Sequence, residues 1–502
     1  MKYKITDGKC TIPYGVTEID KMALFDCKDL MSIEIPNGVT VISDSAFRRC
    51  INLISINIPD SVTTIGPDAF NGCEKLKSIT IPESVITIGE GAFYGCKNLD
   101  SVYINSTIKN VEWGSIFSGC NSISSLIISK DSPMYKSFDN CILSKDGKEL
   151  FYCRESSIPS GIEIIGPNAF NSNRTSLTVP DSVITIKEHA FDSCKELTDV
   201  EIPASVLTID NSAFARCNNL SFKVSDNNPV YKSFNGSLLS KDGRQLIRIG
   251  AGTDKIPDNV VEIKSYAFSY CERLRFMDLP HGITTIEDSA FEWCKNLINV
   301  FIPDSVTFIG DDAFAGCTNL KEINIPNSVT HIGSGAFWYC ESLKEVSIPY
   351  GVAEICDHTF SWCKNLTSIT LPNTVTKIGS NAFCGCKYLQ SIKLPYGIEQ
   401  INDDTFSFCD DLCYLYIPDT VKDISESAFS YRSCSYSAIT IVTHEVDPNK
   451  AYPIIMNLLN PLKRYFHHAR FCLQIPLGCS LLYNLCFQSA LSGFDAIIEC
   501  ED

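Results

Sequence analysis

A line of 23 residues recurs along most of this 502-residue chain, and the repeat restricts the chain to folds that stack similar units. SVTTIGPDAFNGCEKLKSITIPE at 61–83 is followed directly by SVITIGEGAFYGCKNLDSVYINS at 84–106. The Phe of each Ala-Phe pair marks the phase and, with Leu24 as the first marker, gives 16 coils. The Phe markers are Phe47, Phe70, Phe93, Phe117, Phe170, Phe191, Phe214, Phe268, Phe291, Phe314, Phe337, Phe360, Phe383, Phe406 and Phe429.

Each unit reads Val-x-x-Ile, then Ala-Phe-x-x-Cys, then Leu-x-x-Ile-x-Ile, then Pro. The alternation of Ile79 and Ile81 predicts a strand, which Pro82 ends because it has no N–H to donate. Val-x-x-Ile predicts a shorter extended segment, and GPDAFNGC at 66–73 predicts a tight helical turn. A single unit would expose all its apolar side chains, whereas stacked units bury them in one continuous core. The sequence therefore predicts a β-rich repeat solenoid of about 16 coils with short helical turns.

The line SVTTIGPDAFNGCEKLKSITIP resembles the BspA-type leucine-rich repeat, and the resemblance extends over residues 13–441. This resemblance implies a curved solenoid that binds proteins or surfaces, of the kind found in bacterial adhesins and in protist surface proteins. It implies no catalysis and no cofactor.

Two insertions interrupt the repeat, near 129–156 and 225–254, and they copy one another at an offset of 96 residues. Each contains the sequence SKDG between apolar alternations, and Asp-Gly at 146–147 and 242–243 predicts a two-residue hairpin turn. The repeat phase resumes after each insertion. We therefore expect one leucine-rich repeat domain over 1–442, followed by a non-repeat tail over 443–502.

The tail contains an uncharged stretch of 24 residues at 471–494, which is long enough to cross a bilayer. Pro, Gly, Asn and Gln within it make a weak membrane span, and the basic residues before it would leave the repeats in the cytoplasm. The alternative, which we favour, is a helical cap that covers the open edge of the last coil.

The charge balance limits the partners and the compartment. With 42 Lys and Arg against 59 Asp and Glu, the net charge of −17 disfavours nucleic acid and anionic lipid as partners. The N-terminal residues contain no apolar run of the kind that a cleavable export signal requires. These features predict a cytoplasmic protein or one that reaches the cell surface by a non-classical route.

Cysteine is unusually frequent, with 25 residues, and 14 of them follow a marker by three positions. These ladder cysteines are Cys27, Cys50, Cys73, Cys96, Cys120, Cys194, Cys217, Cys271, Cys294, Cys317, Cys340, Cys363, Cys386 and Cys409. A column of disulfides or metal ligands is one interpretation, because stacked coils bring equivalent residues to about 5 Å. The column has no matching ligand set of His or Asp, so we favour buried structural thiols.

No motif indicates catalysis. The seven histidines have no partner at nucleophile or metal spacing, and phosphate-binding loops and nucleophile elbows are absent from the sequence. Within Leu-x-x-Ile-x-Ile, however, the residues on either side of the first Ile point outward and vary from coil to coil. A conserved scaffold with a variable face is typical of recognition.

Large aromatic residues occupy some of these outward positions. Phe276 and Phe301 fall on neighbouring coils, Tyr414 and Tyr416 fall on one coil, and Tyr103 holds the middle position of an earlier coil. Exposed aromatic neighbours are candidate interface anchors, unless the insertions or the tail cover them. We therefore predict a non-enzymatic protein-binding scaffold. The alternative is a cell-surface adhesin for host protein, matrix or carbohydrate, in which 471–494 would associate the protein with the membrane.

A second aromatic column precedes the cysteines of the last eight coils and is interrupted at Gly316 and Gly385. Its members are Tyr270, Trp293, Tyr339, Trp362 and Phe408. We expect these side chains to pack against one another on the side opposite the strands, with recognition as the alternative.

Overall fold

The computed structural model describes residues 3–105, 108, 111–155, 157–170, 175–253 and 255–430, together with strand backbone at 438–442, 470–476 and 496–500. The chain forms two compact units, Met1–Lys241 and Asp242–Asp502. The fold is a β-solenoid of about 18 turns, each about 23 residues long. Most turns contribute one longer and one shorter strand, and the single helix among the described residues is α1, Trp113–Ile116.

The first unit has two parallel ladders. Its longer strands, with β1 before them, are β1 Ile5–Thr6, β2 Lys9–Thr11, β4 Ser32–Glu34, β6 Ser55–Ile56, β8 Ser78–Ile81, β10 Ser101–Ile104, β11 Ser125–Ile128, β16 Ser176–Thr178, β18 Asp199–Ile202 and β20 Ser221–Val224. Its shorter strands are β3 Glu18–Ile19, β5 Val41–Ile42, β7 Thr64–Ile65, β9 Thr87–Ile88, β15 Ile164–Ile165, β17 Thr185–Ile186 and β19 Thr208–Ile209. The inserted strands are β12 Tyr135–Phe138, β13 Cys141–Ser144, β14 Glu149–Cys153, β21 Tyr231–Phe234 and β22 Ser237–Ser240.

The second unit repeats the arrangement after β23, Gln245–Arg248. Its longer strands are β25 Phe276–Asp278, β27 Asn299–Phe301, β30 Glu345–Ser347, β32 Ser368–Thr370, β34 Ser391–Lys393, β36 Tyr414–Pro418, β38 Ala438–Val442, β39 Arg470–Pro476 and β40 Ala496–Cys500. Its shorter strands are β24 Glu262–Ile263, β26 Thr285–Ile286, β28 Phe308–Ile309, β29 His331–Ile332, β31 Glu354–Ile355, β33 Lys377–Ile378, β35 Gln400–Ile401 and β37 Asp423–Ile424.

The strand register places equivalent residues of successive coils side by side. Val102 of β10 pairs with Ile79 of β8 and with Leu126 of β11, all in parallel strands. The two Ile positions of Leu-x-x-Ile-x-Ile are buried in β8 while the residues between and before them are exposed. The predicted alternation is thus confirmed, and the backbone N–H and C=O groups of these strands find partners on the adjacent coils.

The Phe markers of adjacent coils stack on one another in both units. The rings of Phe47 and Phe70 lie 5.1 Å apart at 4°, and those of Phe383 and Phe406 lie 5.6 Å apart at 4°. Phe70 is fully buried, with Ala69 and Cys73 beside it. Such a stack has no partner within one coil, which is the physical reason why the repeat must be long.

The segment between the two strands of a coil is a series of tight turns. The N–H groups of Asn71 and Cys73 donate to the carbonyls three residues before them, at 3.0 and 3.1 Å. Asp68 and Gly72 have φ values of 54° and 72°, which are left-handed and interrupt any helix. In place of the predicted tight helical turn, the segment therefore forms linked turns, closed by hydrogen bonds between residues three positions apart.

The first insertion contains the predicted hairpin, with a four-residue connection at 145–148 in place of the predicted two-residue turn, and a second hairpin. Strands β13 and β14 pair antiparallel around 145–148, which includes the Asp-Gly turn. Strands β12 and β13 also pair antiparallel, across a turn at Asp139 and Asn140 with φ values of 45° and 55°. The second insertion has the equivalent turn at Asn235-Gly236, between β21 and β22. These two turns were not predicted from the sequence, although Asn-Gly is a strong hairpin signal.

The tail is not helical where the structure describes it, so the expected helical cap is wrong for 470–476 and 496–500. Strand β38 pairs parallel with β36, β39 with β38, and β40 with β39, which continues the ladder of longer strands. Pairing with an open strand edge satisfies the backbone groups of both partners, a tertiary effect that local sequence does not reveal. The remaining residues of 443–502 lie outside the described part of the chain.

Candidate functional site

The longer strands present a surface that we call the long-strand face, formed by the exposed residues on either side of each buried strand residue. In β25 the pattern is exposed, buried, exposed for Phe276, Met277 and Asp278. The same pattern holds in β30 and β32. Parallel pairing brings these exposed residues into columns with a coil spacing of about 4.8 Å.

Phe276 and Phe301 lie on this face and line one pocket. They are 63% and 48% exposed, and Phe276 pairs with Asn299 while Asp278 pairs with Phe301. The two rings therefore come from diagonal positions on adjacent coils. The pocket has a volume of about 440 Å³, and Asn324 of the following coil lines its other side. We call it the aromatic pocket.

Polar groups surround the aromatic pocket and were not singled out from the sequence. Asp278 and Glu322 line it, and the side-chain amide of Asn299 donates to Glu322 Oε1 at 3.0 Å. The imidazole of His281 meets the Phe301 ring edge-on, with the ring centroids 6.3 Å apart. The aromatic pocket thus combines two exposed phenyl rings with two carboxylates.

Tyr414 and Tyr416 also lie on the long-strand face, at 55% and 37% exposure. They pair with Ser391 and Lys393 of the preceding coil. Phe276 and Tyr414 are six coils apart, which corresponds to about 29 Å along the ladder. The structure therefore keeps the tyrosine pair separate from the aromatic pocket.

Tyr103 belongs to the first unit. It is 41% exposed and lies between Thr80 and Ile127 on the adjacent coils. Ile127 is also exposed, so the two form a small apolar patch on the long-strand face of that unit.

A second pocket borders the aromatic pocket and carries mainly positive charge. It has a volume of about 450 Å³ and is lined by Glu272, Arg273, Arg275, Asn296, Ile298, Asn319 and Lys321. One guanidinium nitrogen of Arg273 donates to the carbonyl of Gly250 at 2.6 Å, which fixes that side chain against the wall. We call this the basic pocket. It was not predicted from the sequence, because its cations are distant along the chain.

The aromatic column before the cysteines is a packed stack, as expected. Tyr339 and Trp362 stack at 5.8 Å, and Trp362 contacts Phe408 of the next coil but one at 5.9 Å. Gly385 on the intervening coil makes this possible, because a Cβ on that residue would lie 2.8 Å from the Trp362 ring. Gly316 has the same role, since its Cβ would lie 2.5 Å from Trp293. The interruptions in the column are therefore required by the packing.

The cysteine ladder is held by hydrogen bonds. The thiol of Cys73 donates to the carbonyl of Phe47 at 3.3 Å, and this oxygen also accepts from the backbone N–H of Cys50 at 3.1 Å. The ladder thiols that donate to the marker carbonyl of the preceding coil are those of Cys50, Cys73, Cys96, Cys120, Cys194, Cys217, Cys294, Cys317, Cys340, Cys363, Cys386 and Cys409. The expected structural thiols are thus observed, with a specific backbone acceptor for each of these 12.

Burial changes the acidity of these thiols. It raises the pKa of Cys50 to about 12 and the pKa of Cys271 to about 11. Deeper in the ladder, desolvation raises the pKa of Cys73 and Cys340 well above the usual value of 9.0. A thiol that stays protonated is a poor nucleophile. Outside the ladder, Cys141 and Cys153 form a disulfide across β13 and β14.

Neither a metal-binding side-chain group nor a membrane-spanning helix is found in the part of the chain that the structure describes. Among those residues, no group of three or more His, Cys, Asp or Glu side chains is placed so that it could hold a metal ion. No helix in this part of the chain has both the length and the apolar character needed to cross a bilayer.

The stacked coils, parallel register and marker ladder define a leucine-rich repeat solenoid. The family model described as BspA type leucine rich repeat region (6 copies) matches residues 4–124, 147–238, 253–367 and 353–447. These ranges cover most of the chain, and the chain belongs to this family. The resemblance seen in the sequence is thereby confirmed.

Solved structures of similar bacterial proteins were also found. A leucine rich cell surface protein from Faecalibacterium prausnitzii is 25% identical over 82% of this chain and 92% of its own, with a TM-score of 0.38. A leucine-rich repeat protein from Eubacterium ventriosum is 21% identical over 85% and 91%, with a TM-score of 0.39. The pneumococcal vaccine antigen PcpA is 16% identical over 99% and 97%, with a TM-score of 0.30. A search of curated proteins gave no significant match. Because these TM-scores are low, family membership rests on the repeat match.

Proposed function

We propose that this protein is a non-enzymatic scaffold that binds another protein through its long-strand face, with the aromatic pocket at the centre of the interface. Leucine-rich repeat proteins of this family are generally scaffolds. The observation that carries the proposal is the exposure of Phe276 and Phe301 beside each other on a rigid strand ladder.

Aromatic side chains in such a position are effective anchors. Each can bury a large apolar area on binding while few side-chain rotamers are lost, and interface energy concentrates on such residues. The strands that hold these phenyl rings are hydrogen-bonded to neighbours of the same register, so the rings require little rearrangement before contact. The Tyr414 and Tyr416 pair supports a second contact on the same face.

The test compares partner capture by four versions of the full chain. We expect Phe276→Ala/Phe301→Ala to raise the Kd for captured proteins at least tenfold, which is the range of an interface hot spot. Tyr414→Ala/Tyr416→Ala should weaken the same partners less. The control is Phe308→Ala/Tyr350→Ala, which removes two exposed aromatics of the second unit that lie off the long-strand face.

Partners are captured on immobilised protein and measured individually by surface plasmon resonance. If both long-strand variants and the control bind every partner as tightly as the wild type, the long-strand face is not the interface. If glycans are captured instead of proteins, the protein-binding function is wrong.

A further inference from the structure

The basic pocket and the aromatic pocket lie side by side along three consecutive coils. On each of these coils, one residue lines the basic pocket and the next residue lines the aromatic pocket. The three pairs are Arg275 and Phe276, Ile298 and Asn299, and Lys321 and Glu322. The N–H of Ile298 donates to the carbonyl of Arg275 at 2.8 Å, and the N–H of Lys321 donates to the carbonyl of Ile298 at 3.1 Å. The two pockets therefore share one backbone wall.

The basic pocket gathers three cations, two of which form no ion pair with its one carboxylate. Several lysines elsewhere pair with a carboxylate on the adjacent coil, as Lys97 does with Glu74 and Lys364 with Glu341, both at 2.7 Å. Within the described residues, no ion pair involves Arg275 or Lys321. Three cations against one carboxylate thus surround an open polar space in a chain whose net charge is −17.

The cations continue on the following coil. The N–H of Lys344 donates to the carbonyl of Lys321, so Lys344 occupies the next position in the same column. Arg275 and Lys321 are two coils apart, which is about 10 Å of backbone. An anion between these coils would lie about 5 Å from each of them, which is within the screening length of about 8 Å at physiological salt, so both charges act on it.

We infer that the partner is a protein segment that places an apolar side chain against Phe276 and Phe301 and a neighbouring carboxylate in the basic pocket. This inference rests on the proposed function and names the chemistry of its partner. Carboxylate oxygens complement guanidinium and ammonium donors. Asp278 and Glu322, which line the aromatic pocket, repel a second carboxylate there, so the charges fix the direction in which the segment lies.

The experiment uses the full chain and two fluorescein-labelled hexapeptides, one that alternates glutamate with leucine and one that alternates lysine with leucine. Fluorescence anisotropy gives the Kd of each peptide in 50 mM and in 300 mM NaCl. We expect the glutamate peptide to bind at least tenfold more tightly than the lysine peptide at the lower salt, and we expect that preference to shrink at the higher salt.

The Arg275→Glu/Lys321→Glu variant should reverse the preference. The matched control, Lys364→Glu/Lys422→Glu, makes the same change in net charge at two exposed ion pairs away from both pockets and should keep the wild-type preference. Equal effects of the two variants would mean that net charge alone governs binding, which would overturn the inference.

The variants also separate this inference from the proposed function. If Phe276→Ala/Phe301→Ala weakens both peptides while Arg275→Glu/Lys321→Glu leaves the preference unchanged, the long-strand face still binds protein. An acidic segment would then be the wrong class of partner. If Phe276→Ala/Phe301→Ala changes neither peptide, the aromatic pocket does not take the apolar side chain and the inference also fails.

Discussion

Raising the pH from 7.5 to 10 should destabilise this fold, because the buried ladder thiols keep their protons in the folded chain. An unfolded thiol titrates near 9.0, whereas burial raises the pKa of Cys50 to about 12 and raises the pKa of Cys73 and Cys340 well above the usual value. Below pH 9 both states are protonated, and the stabilisation is fully present. Above pH 9 only the unfolded chain releases protons, so the free energy of unfolding falls as the pH rises.

The magnitude follows from the number of thiols. At pH 10, each thiol that titrates only in the unfolded chain lowers the free energy of unfolding by about 1.4 kcal/mol. Seven ladder thiols have a pKa raised to about 12 or well above the usual value. Burial is the main cause for Cys50, Cys73, Cys294, Cys340, Cys363 and Cys386, and for Cys96 the hydrogen bond with Cys120 acts first and burial second. The loss is about 4 kcal/mol in the first unit and about 6 kcal/mol in the second, which is comparable to the whole stability of many domains.

Urea unfolding followed by far-ultraviolet circular dichroism, in a phosphine reductant, measures this loss at pH 7.5, 9 and 10. We expect the midpoint to fall mainly between pH 9 and 10, before most lysines titrate. The matched variant Cys73→Ala/Cys96→Ala is less stable at pH 7.5 but should lose about 3 kcal/mol less between pH 7.5 and 10. Equal pH dependence of variant and wild type, or an unchanged wild-type midpoint, would refute the reasoning.

Two substitutions test the packing and the polar core. Gly316→Ala should lower the free energy of unfolding by about 3 kcal/mol, because the φ of Gly316 is +71° and a Cβ there would meet Trp293. The control, Gly15→Ala, has a φ of +89° in open space and should lower it by about 1 kcal/mol, as measured in thermal melts. Asn228→Ala should lower the free energy of unfolding in urea by about 3 kcal/mol, because the buried amide of Asn228 makes four hydrogen bonds. The control, Asn52→Ala, loses one exposed hydrogen bond and should lower it by less than about 1 kcal/mol.

The core of this fold could be predicted from the sequence because one period determines it. Once Phe70 is recognised as a marker, the positions of Ile79 and Ile81 follow from strand alternation, and the structure buries all three. The same stacking argument predicted a ladder of buried thiols. A repeat supplies many copies of each local signal, so the interpretation does not depend on any one of them.

Features that depend on neighbouring coils could not be predicted in this way. Gly385 reads as a break in an aromatic column, and only the three-dimensional stack shows that Trp362 needs the space above it. The carbonyl of Phe47 becomes a thiol acceptor only when the next coil is in place. Likewise, Arg470–Pro476 is a strand because an open edge is available to it, although its sequence suggested part of a helical cap.

Part of the candidate site could likewise be predicted from local sequence, and part depends on contacts between coils. Alternation alone predicted that Phe276 and Phe301 would point outward, and both are exposed on adjacent coils. The basic pocket was missed because Arg275 and Lys321 have no local motif in common. The coil period and the parallel register bring these two side chains close together. Finding the pocket from the sequence requires comparing the charges at equivalent positions of successive coils, and a search for local motifs does not do this.

In a solenoid of this type, the charges at equivalent positions of adjacent coils bear on where a partner binds. Equivalent positions on adjacent coils lie about 5 Å apart, so like charges in one column repel and opposite charges attract. Several adjacent positions follow this rule, as in the pair of Lys422 with Glu399 at 2.7 Å. Lys321 and Lys344 place like charges at adjacent positions of one column, and an anion between them would offset their repulsion. Binding an acidic partner would relieve that repulsion, and the column adjoins the pocket that Phe276 and Phe301 line.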